Sequence, residues 1–319
     1  MIKKIARVLG EYGILGGFRY AVKKMTGRIA LEESVDSLYY YLNKVCDIRS
    51  FPKAEGSLRE LQLCDAELLR VFDAVCRKHG LCYWLDFGTL LGARRHGGFI
   101  PWDDDLDVSM PREDFDRAFG ILPEEMKKCG IEVKPFPNCP MGVFGFSFRH
   151  LETGVWLDVF PMDAYYTDAG LDEVRGTLLR DVRQYRKYYD RHKPKMTRED
   201  LIQAKERYYL AGHGTPKDGQ NLIFINDPEF DPPRAIHDGQ DVFPLSRIMF
   251  EGYEFNAPKN VDEYLKAMYG PDYMCFPRAG IEHHGDDDNK LKDRAARHGL
   301  DMKDVAEELK QILSAYQNG

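Results

Sequence analysis

The chain has no apolar run long enough to cross a bilayer, no CxxC pair, no internal repeat and no low-complexity tract. Each absence removes a class of reading. Without a run of about twenty apolar residues, no helical membrane span is expected. Without closely spaced cysteines, neither a zinc module nor a redox CxxC motif is supported. The cysteines are odd in number (Cys46, Cys64, Cys76, Cys82, Cys129, Cys139 and Cys275), and several sit inside apolar patterns. They read as buried thiols in a reducing compartment. Charges and glycines interrupt every apolar stretch near the N-terminus, which does not read as a secretory leader. The location expected is cytoplasmic, with peripheral attachment to the inner face of the membrane.

That attachment follows from uneven charge. Residues 1–30 carry seven cations and one carboxylate, a net of +6, which leaves −13 for the rest of a chain whose total is −7. Ile2, Ile5, Leu9 and Tyr12 fall on one side of a helix and Lys3, Lys4 and Arg7 on the other. After a glycine break, Phe18, Val22, Met25 and Ile29 repeat the arrangement opposite Arg19, Lys23 and Lys24. Two basic amphipathic helices suit an anionic membrane surface; the alternative is ordinary packing on the body. Nucleic acid is excluded as a partner, because the acidic remainder repels phosphate backbones.

The most informative stretch is Gly88 to Asp107, where a glycine-rich turn runs into Arg94 and Arg95 and then into four aspartates within five positions. Asp105 and Asp107 flank Leu106 and precede Val108, the alternation of a strand with one buried face. On a strand, Asp103, Asp105 and Asp107 project together. An acidic run is ordinarily a solvated turn. Here Phe99-Ile100-Pro101-Trp102 on one side and Leu106 and Val108 on the other place it at the rim of a core. Carboxylates gathered on one face repel unless a cation sits between them, and Mg²⁺ or Mn²⁺ takes oxygen ligands of this kind.

Around this stretch, apolar recurrence from Ser57 to Cys76 predicts a helix with Ser57 as N-cap and Gly80 as C-cap. Residues 81–86 predict a strand, Gly88-Thr89 a turn into a short helix, and 112–119 another helix. Strands are expected at 131–133, 143–148 and 155–160, a long helix from Leu171 with a basic face, and a terminal helix from Asp301. Residues 31–56 read as a connector and 210–240 as a long loop. His283-His284 and Asp286-Asp287-Asp288 resemble metal ligands in type, but Gly285 and their polar setting favour a loop.

The run Gly-Thr-Leu-Leu-Gly, Arg-His, Gly-Phe-Ile-Pro-Trp-Asp-Asp-Asp and a further Asp resembles the signature of the LicD family, phosphotransferases that decorate cell-surface glycans and are related to fukutin-type proteins. Tyr83-Trp84-Leu85-Asp86, Trp156 to Asp163, Asp241 to Pro244, Phe250-Glu251-Gly252, Tyr264-Leu265 and Tyr269-Gly270 look like further landmarks, so the resemblance spans about residues 57–278. Arg94 and Gly97 depart from the family pattern. The resemblance implies an α+β fold: a nucleotidyltransferase-like mixed sheet flanked by helices, with helical C-terminal additions. It divides the chain into a basic arm and connector (1–56) and a catalytic domain (57–319).

The activity implied is Mg²⁺-dependent transfer of a phospho-substituent, most familiarly phosphocholine from CDP-choline, to a hydroxyl of a glycan or lipid-linked sugar. The donor partner is then a CDP-activated alcohol. Asp103, Asp105, Asp107 and Asp158 are the expected metal ligands, Asp158 alternatively the base for the acceptor hydroxyl. Gly88 and Thr89 would face phosphate oxygens through backbone N–H groups and a hydroxyl. Arg95 would hold a phosphate through its planar fork, with His96 orienting it or the acceptor. A choline headgroup would want an aromatic cage, for which Trp156, Tyr165, Tyr166, Tyr188 and Tyr189 are available. Two other readings stay open: a nucleotidyltransferase acting on a sugar or protein, and a non-catalytic scaffold at the membrane. Clustered, mutually repelling carboxylates argue against the scaffold.

Overall fold

The computed structural model describes residues 28–135, 144–148, 155–226, 236–276, 297, 299 and 301–318. The helix expected over 2–12, most of that over 18–29, and the 283–288 segment lie outside them. The chain divides into two compact units, residues 1–51 with 274–281, and residues 52–273 with 282–319.

In the first unit, α1 (Arg28–Val45) stands where a connector was expected. Leu31, Val35, Leu38 and Leu42 recur at helical spacing, a pattern the Tyr39-Tyr40-Tyr41 triplet obscured. Asn43 Oδ1 accepts the Phe276 N–H at 2.9 Å, and the Phe51 ring meets Phe276 edge-on at 5.5 Å.

In the second unit, α2 (Gly56–His79) follows the predicted recurrence, burying Leu61, Leu68, Leu69, Phe72 and Val75. Gly80 caps it in the left-handed conformation, as expected. Its start differs: Glu55 holds the N-cap position and Ser57 lies inside the first turn, because Gly56, at φ 63°, already turns the chain. β1 (Trp84–Leu85) leads into α3 (Phe87–His96), then β2 (Asp107–Pro111) and α4 (Arg112–Lys128). β3 (Ile131–Pro135), β4 (Phe144–Phe148) and β5 (Trp156–Thr167) complete the order β1-β2-β5-β4-β3.

The length of β5 shapes the sheet. Its first half pairs in parallel with β2 and antiparallel with β4; from Met162 onward it pairs antiparallel with β6 (Asn221–Asn226). β7 (Ile236–Asp238) adds to β6. The segment expected as a long loop therefore holds two strands and α7 (Gly239–Val242). The apolar run Leu222 to Ile225 pairs on one side with the extension of β5, which sequence reasoning ended at Phe160, and on the other with β7. α5 (Leu171–His192) and α6 (Arg198–Lys205) cover this extension. Leu178, Val182, Tyr185 and Tyr189 pack there with Leu201, Ile223, Ile225 and Ile236. The basic side of α5 stays outside: Arg180, Arg183, Lys187 and Arg191 are exposed.

A hairpin of β8 (Ser246–Phe250) and β9 (Tyr253–Ala257) precedes α8 (Val261–Tyr269). The terminal helix α9 (Met302–Asn318) packs Val305, Leu309 and Leu313 toward α2. The expected α+β architecture, a curled mixed sheet flanked by helices, is what the chain forms. Among the described residues, no helix is long and apolar enough to cross a membrane.

Candidate active site

The motif segment folds as a strand, a short helix and an acidic return. Asp86 closes β1 and caps α3, its Oδ1 accepting the Phe87 N–H at 2.8 Å. Phe87 itself sits at φ 41°, a conformation costly for a non-glycine residue. Its ring is held against Phe160 at 4.8 Å. The helix ends on Gly97 at φ 67°, which explains a glycine where the family pattern is commonly basic. Gly98 is required by contact: a Cβ there would collide with the Glu251 carboxylate. Glu251 fastens this corner, accepting from the Phe99 N–H at 3.2 Å and pairing with Arg59 at 2.6 Å and Lys53 at 2.7 Å.

Asp103 to Leu106 are irregular, and β2 begins only at Asp107. The expectation that Asp103, Asp105 and Asp107 share one strand face is therefore corrected. Gln62 Nε2 donates to the Asp103 carbonyl at 2.9 Å and draws that residue away from β5, and the ladder to β5 begins where the Asp158 N–H donates to the Leu106 carbonyl at 2.8 Å. The carboxylates still gather. Asp107 and Asp158 are register partners on the parallel β2–β5 pair. Asp103 reaches back over α3, where a Cβ on Gly88 would lie 2.8 Å from its Oδ2. Burial first, then the charges of Asp105, Asp158, Asp103 and Asp86, hold the Asp107 carboxyl well above the usual carboxylate range.

Thr89 Oγ1 accepts the Asp107 N–H at 2.8 Å, so this hydroxyl ties α3 to the start of β2. Arg95 is buried, its Nε donates to His96 Nε2 at 3.1 Å, and its Nη1 reaches the Tyr273 carbonyl at 3.3 Å. Burial lowers its pKa while the nearby Asp103 charge opposes that. Arg94, whose role the motif left open, points elsewhere and forms a two-pronged pair with Asp262 at 2.7 and 3.2 Å. Of the aromatics considered for a cage, Tyr165 stacks on His213 at 4.3 Å, Tyr188 on His192 at 4.2 Å, and Tyr189 lies in the core. These rings are already committed to packing.

Asp86, Tyr269 and Asp65, to which sequence reasoning gave no role in the site, and Trp156, which it offered only for a cage, belong to the site's surroundings. Asp86 Oδ2 accepts from Ser109 at 2.5 Å and Tyr264 at 2.9 Å, and burial pushes its carboxyl up to about 6. Tyr269, ending α8, is 41% exposed overall, yet desolvation of its phenol first, then the charges of Asp107, Asp86, Asp103 and Asp105, hold that group above the usual range. Asp65 lies on the buried face of α2, four residues from both Leu61 and Leu69. A carboxylate in such an apolar stripe was the available signal. Trp156 donates its indole N–H to Asp158.

Asp107 and Asp158 are thus buried carboxylates near the starts of two parallel strands, with half-buried Asp103 and Asp105, Arg95 and the first turn of α3 close by. Comparison with known proteins finds similarity over part of the chain. Residues 80–129 match the LicD/FKTN/FKRP family, nucleotidyltransferase domain. The lipopolysaccharide cholinephosphotransferase LicD of Haemophilus influenzae is 51% identical over 69 residues, covering 22% of this chain and 26% of that protein. The ribitol 5-phosphate transferase FKRP of Mus musculus is 48% identical over 48 residues, covering 15% and 10%. The resemblance read from the motif is thus borne out over the segment that carries the aspartates. The chain spans about a quarter or less of the length of these two relatives.

Proposed function

We propose that this protein transfers a phospho-substituent from a CDP-activated alcohol, phosphocholine from CDP-choline being the first candidate, to a hydroxyl of a glycan or lipid-linked sugar, with Mg²⁺ or Mn²⁺. The observation that carries the reading is the pairing of Asp107 with Asp158 across parallel strands, with Asp107 inside the 80–129 segment that matches the LicD/FKTN/FKRP nucleotidyltransferase domain. The donor set fits a hard divalent cation: Asp107 is a buried carboxylate whose ionised form is disfavoured by its neighbours, the penalty a bound cation removes. Asp103, Asp105, Asp107 and Asp158 would hold it. Among the described residues no three such side chains form a ready cage, so binding would draw them inward. When bound, the metal neutralises charge on the donor diphosphate.

The chain's own groups supply the rest. Arg95 holds a donor phosphate, buried enough that its charge is poorly screened. His96 fixes the guanidinium plane. The start of α3 at Gly88 and Thr89 adds N–H dipoles directed at anionic oxygens. Asp158 either ligates metal or takes the proton of the acceptor hydroxyl.

The test incubates purified protein with Mg²⁺ and single CDP-alcohols and follows the nucleotide. Release of CMP supports this reading. A nucleotide left on the acceptor, with the phospho-alcohol set free, supports nucleotidyl transfer instead. No consumption of any donor, with or without glycan acceptors, refutes both.

A further inference from the structure

We infer that Asp65 is a positioning residue for Asp158, acting through both N–H groups of Trp156; this rests on the role proposed for Asp158. Asp65 Oδ1 accepts the Trp156 backbone N–H at 2.9 Å. Two residues further on, the same strand places Asp158, which accepts the Trp156 indole N–H. Residues i and i+2 of a strand share a face, so the indole edge lies over the carboxylate it restrains. Trp156 is the first residue of β5: one edge of the strand is paired with β4 from Trp156 onward, through Ser147, while on the other edge pairing with β2 starts only at Asp158. Asp65 takes the Trp156 N–H on that second edge, from a helix whose apolar face is buried in the core.

The anchor's setting distinguishes it from an incidental contact. Asp65 is fully buried, and its second oxygen, Oδ2, has no hydrogen-bond partner among the described residues. A buried carboxylate with one oxygen unmatched is costly, and an apolar residue in its place would pack without that penalty. A role beyond packing accounts for its presence. The helix, the strand start and the carboxylate then form one line: Asp65, Trp156, Asp158. Removing either link frees the Asp158 side chain to leave its orientation without removing any group that touches substrate. Loss of such supporting contacts typically costs roughly 10- to 100-fold in activity.

Two measurements test this, one without turnover. With ¹⁵N-labelled indoles the protein shows three side-chain N–H resonances, one per tryptophan, and Trp156→Phe identifies the one belonging to Trp156. Asp158→Asn should shift that resonance, as should Asp65→Ala, while Asp65→Asn, which keeps an acceptor oxygen, should leave it near its native position. In steady-state kinetics with a donor that is turned over, Trp156→Phe and Asp65→Ala should each lower kcat 10- to 100-fold with donor KM little changed, and the double variant should lose no more than the worse single one. An indole resonance indifferent to both Asp158→Asn and Asp65→Ala overturns the inference, as do fully additive kinetic losses. If Asp65→Ala does not fold, Asp65→Leu, which fills the apolar site without an acceptor, takes its place in both measurements. If no donor is turned over, the proposed function fails and the indole spectra still report whether the line exists.

Discussion

His237 offers a prediction whose size follows from its surroundings. The ring is buried on β7, stacked on Tyr264 at 3.7 Å and 7°, and neither ring nitrogen has a hydrogen-bond partner among the described residues. Burial, assisted by the charge of Arg175, pulls its pKa down to about 3 from an ordinary 6.5. The sign follows directly. The folded protein keeps His237 neutral until about pH 3, while the unfolded chain takes up a proton below 6.5, so folding stability falls with pH across that window. At 1.36 kcal/mol per unit, the two units between 6.5 and 4.5 amount to about 2.7 kcal/mol. His237→Phe keeps a stacked ring and cannot titrate. Relief of the unmatched nitrogens and crowding by the larger ring shift its stability by a constant of about 1–3 kcal/mol in opposite directions.

The informative quantity is therefore the change with pH of the stability difference between variant and wild type. Urea unfolding at pH 7.5 and 4.5 should show that difference moving by about 2.7 kcal/mol in favour of the variant. Asp86, raised to about 6, acts with opposite sign, since the fold gains as pH falls through 6 toward the ordinary carboxylate value. It is common to both proteins and cancels. Parallel pH profiles would refute the reasoning and mean that His237 is hydrogen-bonded.

Other outcomes follow from the same geometry. Asp107→Asn should abolish turnover yet leave metal-free stability at pH 7 equal or higher, because an ionised group disfavoured by burial and four carboxylates is removed; a lower melting temperature or near-normal turnover contradicts this. Arg95→Lys should weaken donor use nearly as much as Arg95→Ala, since an ammonium cannot reproduce the planar fork, and wild-type kinetics in Arg95→Ala would place the residue outside the site. Gly92→Ala should destabilise by about 1–3 kcal/mol, because its Cβ would lie 2.5 Å from the Gly98 carbonyl oxygen, a backbone atom with little freedom to yield; an unchanged denaturation midpoint contradicts it. Deleting residues 1–30 should release the protein from anionic vesicles at low salt, at roughly 1 kcal/mol per basic residue; full-length protein that ignores such vesicles ends the membrane reading.

By itself, the sequence determined the elements whose signals are local. The apolar recurrence of α2, the Gly80 cap, the long helix from Leu171 and the terminal helix need only residues within a few turns of one another. The aspartate run and its family resemblance were legible for the same reason, since twenty consecutive positions carry them. Contacts distant in the chain were decided by tertiary structure. The path of Asp103 depends on Gln62, 41 residues away, and the point at which the ladder begins, at Leu106, on Asp158, more than 50 residues away. The strands within 210–240 exist because β5 runs on past Phe160 and offers them an edge. Thr89 turned toward the Asp107 N–H, and Arg94 toward Asp262, because those partners arrive from other elements. Asp65 shows the division most clearly: its place on an apolar helix face is written in the sequence, but the strand it anchors begins 91 residues later.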